Sequence, residues 1–263
     1  MMAWTAKLRY VIFGLLAYVV FLVLQFPAER AYGLWKSGPG AAQPVVLGEL
    51  SGSVWSGAAN VAVIGGQRLE ALHWSLHPWR MLLGKLALDW GLKVPDGYAT
   101  GELAADPGGG LALQRLEARL PLDQLSGIKA LAALRPSGAV NLNLRDVQWD
   151  GKTLASADGR LVWSGAGINL FQPLEFGDLS LTLETGAEGV SGVLSDAGGP
   201  LQAEGLLSLK ADGSYQFSGA FAVRGDGHAP LQQALRSMGR PGADGKVRVN
   251  YSGQLAALGL ARR

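Results

Sequence analysis

Residues 85–94, KLALDWGLKV, put Leu86, Leu88, Trp90, Leu92 and Val94 at every second position, with Lys85, Asp89 and Lys93 between them. Side chains of a strand alternate between two faces, so this pattern describes a strand with one apolar and one wet face. It recurs. Leu179, Leu181 and Leu183 alternate with Ser180, Thr182 and Glu184; Tyr215, Phe217 and Phe221 alternate with Gln216 and Ser218; Val247, Val249 and Tyr251 close the series. Turn-forming sequences punctuate these runs: DPGGG at 106–110, DG at 150–151, 158–159 and 212–213, and DAGG at 196–199. Such short connections join antiparallel neighbours, whereas parallel strands need crossovers of a dozen or more residues. The expected body is mainly β, a mostly antiparallel sheet.

Two runs change face partway. Val140, Leu142 and Leu144 are followed by Val147 and Trp149, and Leu111 and Leu113 by Leu116, Ala118 and Leu120. One extra residue near Arg145 and Asp146, and another between Leu113 and Leu116, would return the later side chains to the apolar face; such bulges add twist, so the sheet is expected to be curved. Helical patterns are few. LDQLSGIKALAAL (122–134) spaces Leu122, Leu125, Ile128, Leu131 and Leu134 at three-residue steps, APLQQALRSMG (229–239) has Pro230 near its start and Gly239 near its end, and PWRMLLG suggests a third helical turn. These pieces would cap an open apolar sheet. A division into two lobes around residues 135–160 stays open.

Residues 10–26, YVIFGLLAYVVFLVLQF, carry no charge, and with the adjoining Leu8 they approach the length an α-helix needs to cross a bilayer. Lys7 and Arg9 precede the run, which places the short N-terminus in the cytoplasm and all that follows across the membrane. Tyr10, Tyr32 and Trp35 are candidates for the interfacial belts. A cleaved secretory signal is the rival reading, but the run is long for one, and Ala28 and Ala31 are spaced A-x-x-A instead of A-x-A. The expected organisation is therefore residues 1–27 as cytoplasmic tip and transmembrane signal anchor, 28–45 as linker, with Pro39, Pro44 and SGPGAAQP, and 46–263 as a periplasmic β-rich domain.

Chemistry is sparse. The chain has no Cys, which removes disulfides, thiolate ligands and a cysteine nucleophile together. Its net charge is +2, and its basic residues are scattered instead of clustered with aromatics, so a nucleic-acid partner is not expected. His73 and His77 are four apart, a spacing that presents two imidazoles on one face of a helix, but Pro78 and the strand-like context oppose a helix; Glu70 is the nearby acid and His228 is distant. No G-x-S-x-G, H-E-x-x-H, Walker loop or complete G-x-G-x-x-G occurs, and GDGHAP reads as a turn. No catalytic, cofactor-binding or metal-ligating residue is assigned, no cofactor is expected, and the chain is not expected to be an enzyme. Trp55 in GSVWSG (52–57) and Trp163 in LVWSGAG (161–167) are read as core rings on alternating strands beside residues small enough for close strand approach.

The order of LSGSVWSGAAN (50–60), LHWSLHPWRMLLGKLALDW (72–90), ADGRLVWSGAGINL (157–170) and LEFGDLSLTLE (174–184) resembles the type II secretion system protein N family. LSDAGGPLQAEGLLSLKADGSYQFSGAFAVR followed by LQQALRSMGRPGADGKVRVNYSGQL extends the resemblance over the carboxyl third. It implies an inner-membrane protein with a periplasmic body, accessory to a machine that exports folded proteins across the outer membrane, with other components of that system as partners. It brings no catalytic residues. The family is also distantly similar to AsmA-like proteins, which implies a second function class: binding or transporting lipid in the curved sheet. A third, an envelope hydrolase, has no motif behind it.

Overall fold

The computed structural model describes residues 13–15, 17–38, 45–64, 67–81, 86–105, 111–122, 134–149, 153–169, 172–225 and 227–255. Their strands form one sheet in chain order, every neighbour antiparallel: β1 (Val45–Gly52), β2 (Ser56–Ile64), β3 (Gln67–Leu76), β4 (Leu86–Val94), β5 (Gly97–Ala105), β6 (Leu111–Pro121), β7 (Pro136–Trp149), β8 (Leu154–Asn169), β9 (Pro173–Gly186), β10 (Gly189–Asp196), β11 (Leu201–Lys210), β12 (Ser214–Val223) and β13 (Val247–Gln254). The sheet is an open thirteen-stranded meander. Residues 136–169 do not divide it, because β7 and β8 pair along most of their length, from Pro136↔Ile168 to Trp149↔Leu154.

Register carries the apolar face from strand to strand. Trp74 lies opposite Trp90, Leu88 opposite Leu103, Leu142 opposite Leu161, Leu161 opposite Leu181 and Leu207 opposite Phe217. A one-residue slip anywhere would turn a whole strand's Leu and Trp side chains to the wet face, which is why the alternation pins the pairing so firmly. The bulges fall where the sequence changes face. Gln114 and Asp146 sit side by side, between the pairs Leu113↔Val147 and Arg115↔Arg145, and the β5–β6 and β7–β8 registers shift there. Asp146 adopts φ 50°, a left-handed conformation tolerated by a short polar side chain. A second row crosses Glu49, Asn60 and Ala71, with Glu49 at φ 52° and Ala71 at φ 49°. It keeps Leu69 and Leu72 on one face and buries both Ala59 and Ala62.

Asp158–Gly159 is not a turn. It lies within β8 opposite the β7 bulge, and Gly159 has φ 138° with room for no Cβ, which would stand 2.1 Å from the Asn143 carbonyl oxygen. The other described turns hold: Ala211–Gly213 joins β11 to β12 and Ala197–Pro200 joins β10 to β11. The 106–110 and 150–151 turn sequences, and most of the helix expected over 122–134, fall outside the described residues.

Helix Ala229–Met238 follows the sequence expectation, with Pro in its first turn and Gly239 after its last. It lays Leu231 and Leu235 on Leu201, Ala203, Val247 and Val249, with Phe176, Leu179, Phe217 and Phe221 around them. Burying two Leu side chains contributes about 3–6 kcal/mol before chain entropy is counted. A second cluster, Ala157, Val190, Leu209 and Leu255, packs with Leu183, Leu207 and Tyr215. Pro78–Met81 forms the expected short helical turn.

At the amino end, residues 13–15 and 17–24 are helical and exposed on every side. No described helix is long and apolar enough to cross a membrane; residues 10–12 and 16 of the expected span are outside the described set. Within the stretch read as linker, Ala28–Lys36 forms a helix that packs on β1.

Candidate interaction surface

An open sheet has two edges, and an edge strand's outward N–H and C=O groups are a template for a further strand. The β1 edge is occupied by the preceding chain. The Tyr32 hydroxyl donates to the Val45 carbonyl at 3.3 Å and accepts the Leu47 amide at 3.1 Å, standing in for a neighbouring strand, and Lys36 Nζ donates to the same Val45 oxygen at 3.1 Å. Further along, Val54 N–H donates to Phe26 O at 3.0 Å and Pro27 bridges to Ser53. Trp55 lies in the bend between β1 and β2, not on a strand, and its indole N–H donates to Val23 O at 2.8 Å, tying the end of the apolar helical segment to the sheet. Trp163 is on β8 as expected, stacks edge-on against Phe176, and donates to Ser137 O at 2.8 Å. The two echoed tryptophans thus each fasten separate parts of the chain.

The glycines beside the aromatic residues have a steric cause. Gly57 lies opposite Trp74, and a Cβ there would meet the indole at 2.4 Å; Gly101 lies opposite Trp90, where the distance would be 2.9 Å. The Phe217 ring covers Gly205 and Gly219 in the same way. Each large ring lies flat across a neighbouring strand because that strand presents no side chain beneath it.

On the wet face, β10 to β13 carry an apolar spot. Val193 and Leu206, directly opposite each other, are 52% and 64% exposed. They border an open hollow of about 440 Å³ whose polar rim includes Glu204, Ser218, Arg248 and Asn250. The charges are paired: Lys246 with Glu204, and Arg248 Nη2 with Asp244 Oδ2 at 2.6 Å. The guanidinium hydrogen bond to Asp244 is the largest influence on that carboxyl and holds it below its ordinary range. Close by, Asp196 accepts Arg224 Nη1 at 2.6 Å, the Ala203 amide at 2.9 Å and the Gly198 amide at 3.1 Å. Desolvation pushes the Asp196 carboxyl up, but these donors together outweigh it and its pKa is lowered.

The sequence-singled histidines do not converge. His73 is in β3, four positions from His77 along extended chain, which separates them by about 13 Å at the strand rise and removes the helical geometry that joint ligation would need. His73 fills the space above Gly91, and His77 Nε2 lies 2.8 Å from Asp89 Oδ2. Glu70 faces Lys93 across the β3–β4 pair, and His228 precedes helix Ala229–Met238. Among the described residues no group of three or more His, Asp or Glu side chains is placed to hold a metal ion.

The family model for type II secretion system (T2SS), protein N, matches residues 43–250. The type II secretion system protein N of Pectobacterium carotovorum subsp. carotovorum is 25% identical over 242 residues, covering 91% of this chain and 94% of that protein. That of Aeromonas hydrophila is 23% identical over 256 residues, 92% of this chain and 96% of the relative. The Vibrio cholerae protein of the same name is 25% identical over 216 residues, 78% of this chain and 83% of its own length. No solved structure matches significantly. The matched region takes in the strands from β1 through the first half of β13, the sheet whose edges and wet face are described above: the chain belongs to the type II secretion system protein N family.

Proposed function

We propose that this protein is a noncatalytic inner-membrane accessory component of a type II secretion system, supporting export of folded proteins across the outer membrane through protein–protein contacts. The observation that carries the reading is the family match over residues 43–250. The amino-terminal segment supports the location: its described helical residues are apolar and exposed all round, as a helix facing lipid is, and Lys7 and Arg9 precede it. The body then lies in the periplasm, held against the end of the membrane segment by the Trp55–Val23 and Val54–Phe26 hydrogen bonds. In-cell crosslinking with identification of captured proteins, joined to a secretion assay in a deletion strain, tests this. Capture of secretion-system components together with impaired export is the expected result.

A second reading, lipid binding or transport, has one observation of its own. On the apolar face, Leu88, Leu116, Leu142, Leu161 and Leu181 are only half-buried, whereas Leu201, Val247 and Val249, beneath helix Ala229–Met238, are buried. Reproducible capture of lipid on this face, with normal export and no secretion-system partner, would replace the first reading by the second.

A further inference from the structure

We propose that β13 is a self-pairing edge, through which two copies of the chain join in antiparallel register about Tyr251. The two ends of the sheet are built differently. At β1, a hydroxyl, an ammonium group and the chain around Phe26 and Pro27 occupy the outward backbone groups. At β13, no described residue does so beyond the start of the strand, where Gly242 N–H donates to Lys246 O at 2.9 Å.

The outward groups of β13 follow from the ladder. Leu255 N–H donates to Gly213 O at 2.9 Å, in step with the pairs Tyr215↔Gly253, Phe217↔Tyr251 and Gly219↔Val249. Antiparallel bonding alternates residue by residue, so the odd-numbered residues bond to β12 and Arg248, Asn250, Ser252 and Gln254 turn their N–H and C=O groups outward. This is a run of outward groups long enough to hold a strand.

A second copy fits this edge. Among Val247–Gln254 the only charged side chain is Arg248, and Asp244 of its own chain holds it through both carboxylate oxygens, so no unmatched charge selects a partner of opposite sign. With the two-fold axis at Tyr251, Asn250 pairs with Ser252 of the other copy and Arg248 with Gln254, and no like charges meet. The Tyr251 ring, 55% exposed on the apolar side of the edge, meets its own counterpart in a non-hydrogen-bonded pair, the closer of the two antiparallel pair types. The symmetry is isologous and closed, giving a dimer instead of a fibre.

The absence of Cys makes the test clean. Full-length chain carrying Tyr251→Cys is expressed in its membrane and oxidised; the expected product is mainly a disulfide-linked dimer, while Leu206→Cys, equally exposed but two strands from the edge, stays monomeric. Ser252→Pro, added to Tyr251→Cys, removes an outward N–H that β12 does not use, and is expected to reduce the dimer about tenfold while protease resistance is kept. Asn250→Lys with Ser252→Lys, which sets like charges opposite each other, must do the same and covers the case in which proline disturbs the strand. A protease-resistant Tyr251→Cys chain that remains monomeric, or one that crosslinks only to a polypeptide of different mass, overturns the proposal. So does a dimer that both edge variants leave intact.

Discussion

At the scale of single residues, the echoed tryptophans and the glycines are explained by what each ring touches. Trp163 has a hydrogen-bonded indole, whereas the buried Trp90 Nε1 has no partner among the described residues. Trp163→Phe is therefore expected to destabilise by about 1 kcal/mol more than Trp90→Phe, because only the first loses a hydrogen bond and leaves a carbonyl unpaired. Urea unfolding of the two variants side by side measures the difference. Gly101→Ala inserts a methyl group into the space of the Trp90 ring and is expected to cost about 1–3 kcal/mol, as overpacking does. Asp196 gives a pH-dependent case. Its folded pKa is lowered, so the stability it contributes is present above the ordinary carboxylate range and is lost as pH falls through the lowered value. Asp196→Asn, unable to satisfy the Arg224 guanidinium and two amides alike, is expected to lose about 1–3 kcal/mol at neutral pH. The gap to the parent protein should narrow on acidification. A gap that stays constant from neutral pH to below the carboxylate range would contradict the assignment.

At the scale of elements, the bulges and the edge cap decide which surfaces are available. The side-by-side bulges at Gln114 and Asp146 were legible because the apolar positions change parity there, from odd to even at Gln114 and from even to odd at Asp146. The bulge row at Glu49, Asn60 and Ala71 left the same kind of trace, Leu69 followed by Leu72, but in a stretch where small residues blur the alternation. Tyr32 left no trace at all. Its sequence neighbours suggest a membrane interface, and only the folded chain brings its hydroxyl to Val45 and Leu47, thirteen and fifteen positions away. Tyr32→Phe is expected to cost about 1–2 kcal/mol and to expose the β1 edge. The check is self-association through β1, read by crosslinking from a single Cys placed on that strand; a variant that associates no more than the parent would show that the remaining contacts suffice to close the edge.

At the scale of the whole molecule, the meander has a consequence for unfolding and another for topology. Each strand contacts chiefly its sequence neighbours. Helix Ala229–Met238 closes only the β9–β13 end, so removing its Leu231 and Leu235 should loosen that end first. Leu231→Ala is expected to cost about 2–5 kcal/mol, with hydrogen exchange rising in β11–β13 before β4–β6. A reporter active only in the periplasm, fused after Arg263, is expected to be active; an inactive fusion would refute the proposed membrane orientation. Alternation of period two, with glycine-rich turns between runs, by itself determined an antiparallel β body, because side chains on a strand must alternate and short loops permit no crossover. The positions of two bulges followed from the same periodicity, and that of the Ala229–Met238 helix from a helical pattern bounded by Pro230 and Gly239. What only the tertiary structure decided depends on residues far apart in the chain: that Asp158–Gly159 serves a bulge instead of a turn, that Trp55 fastens the amino-terminal helix, and that Tyr32 seals the β1 edge while no described residue covers the outward groups of Arg248–Gln254. Periodicity reports which face a side chain takes, but a hydrogen bond between distant segments is set by where the register brings them, and no local pattern encodes that.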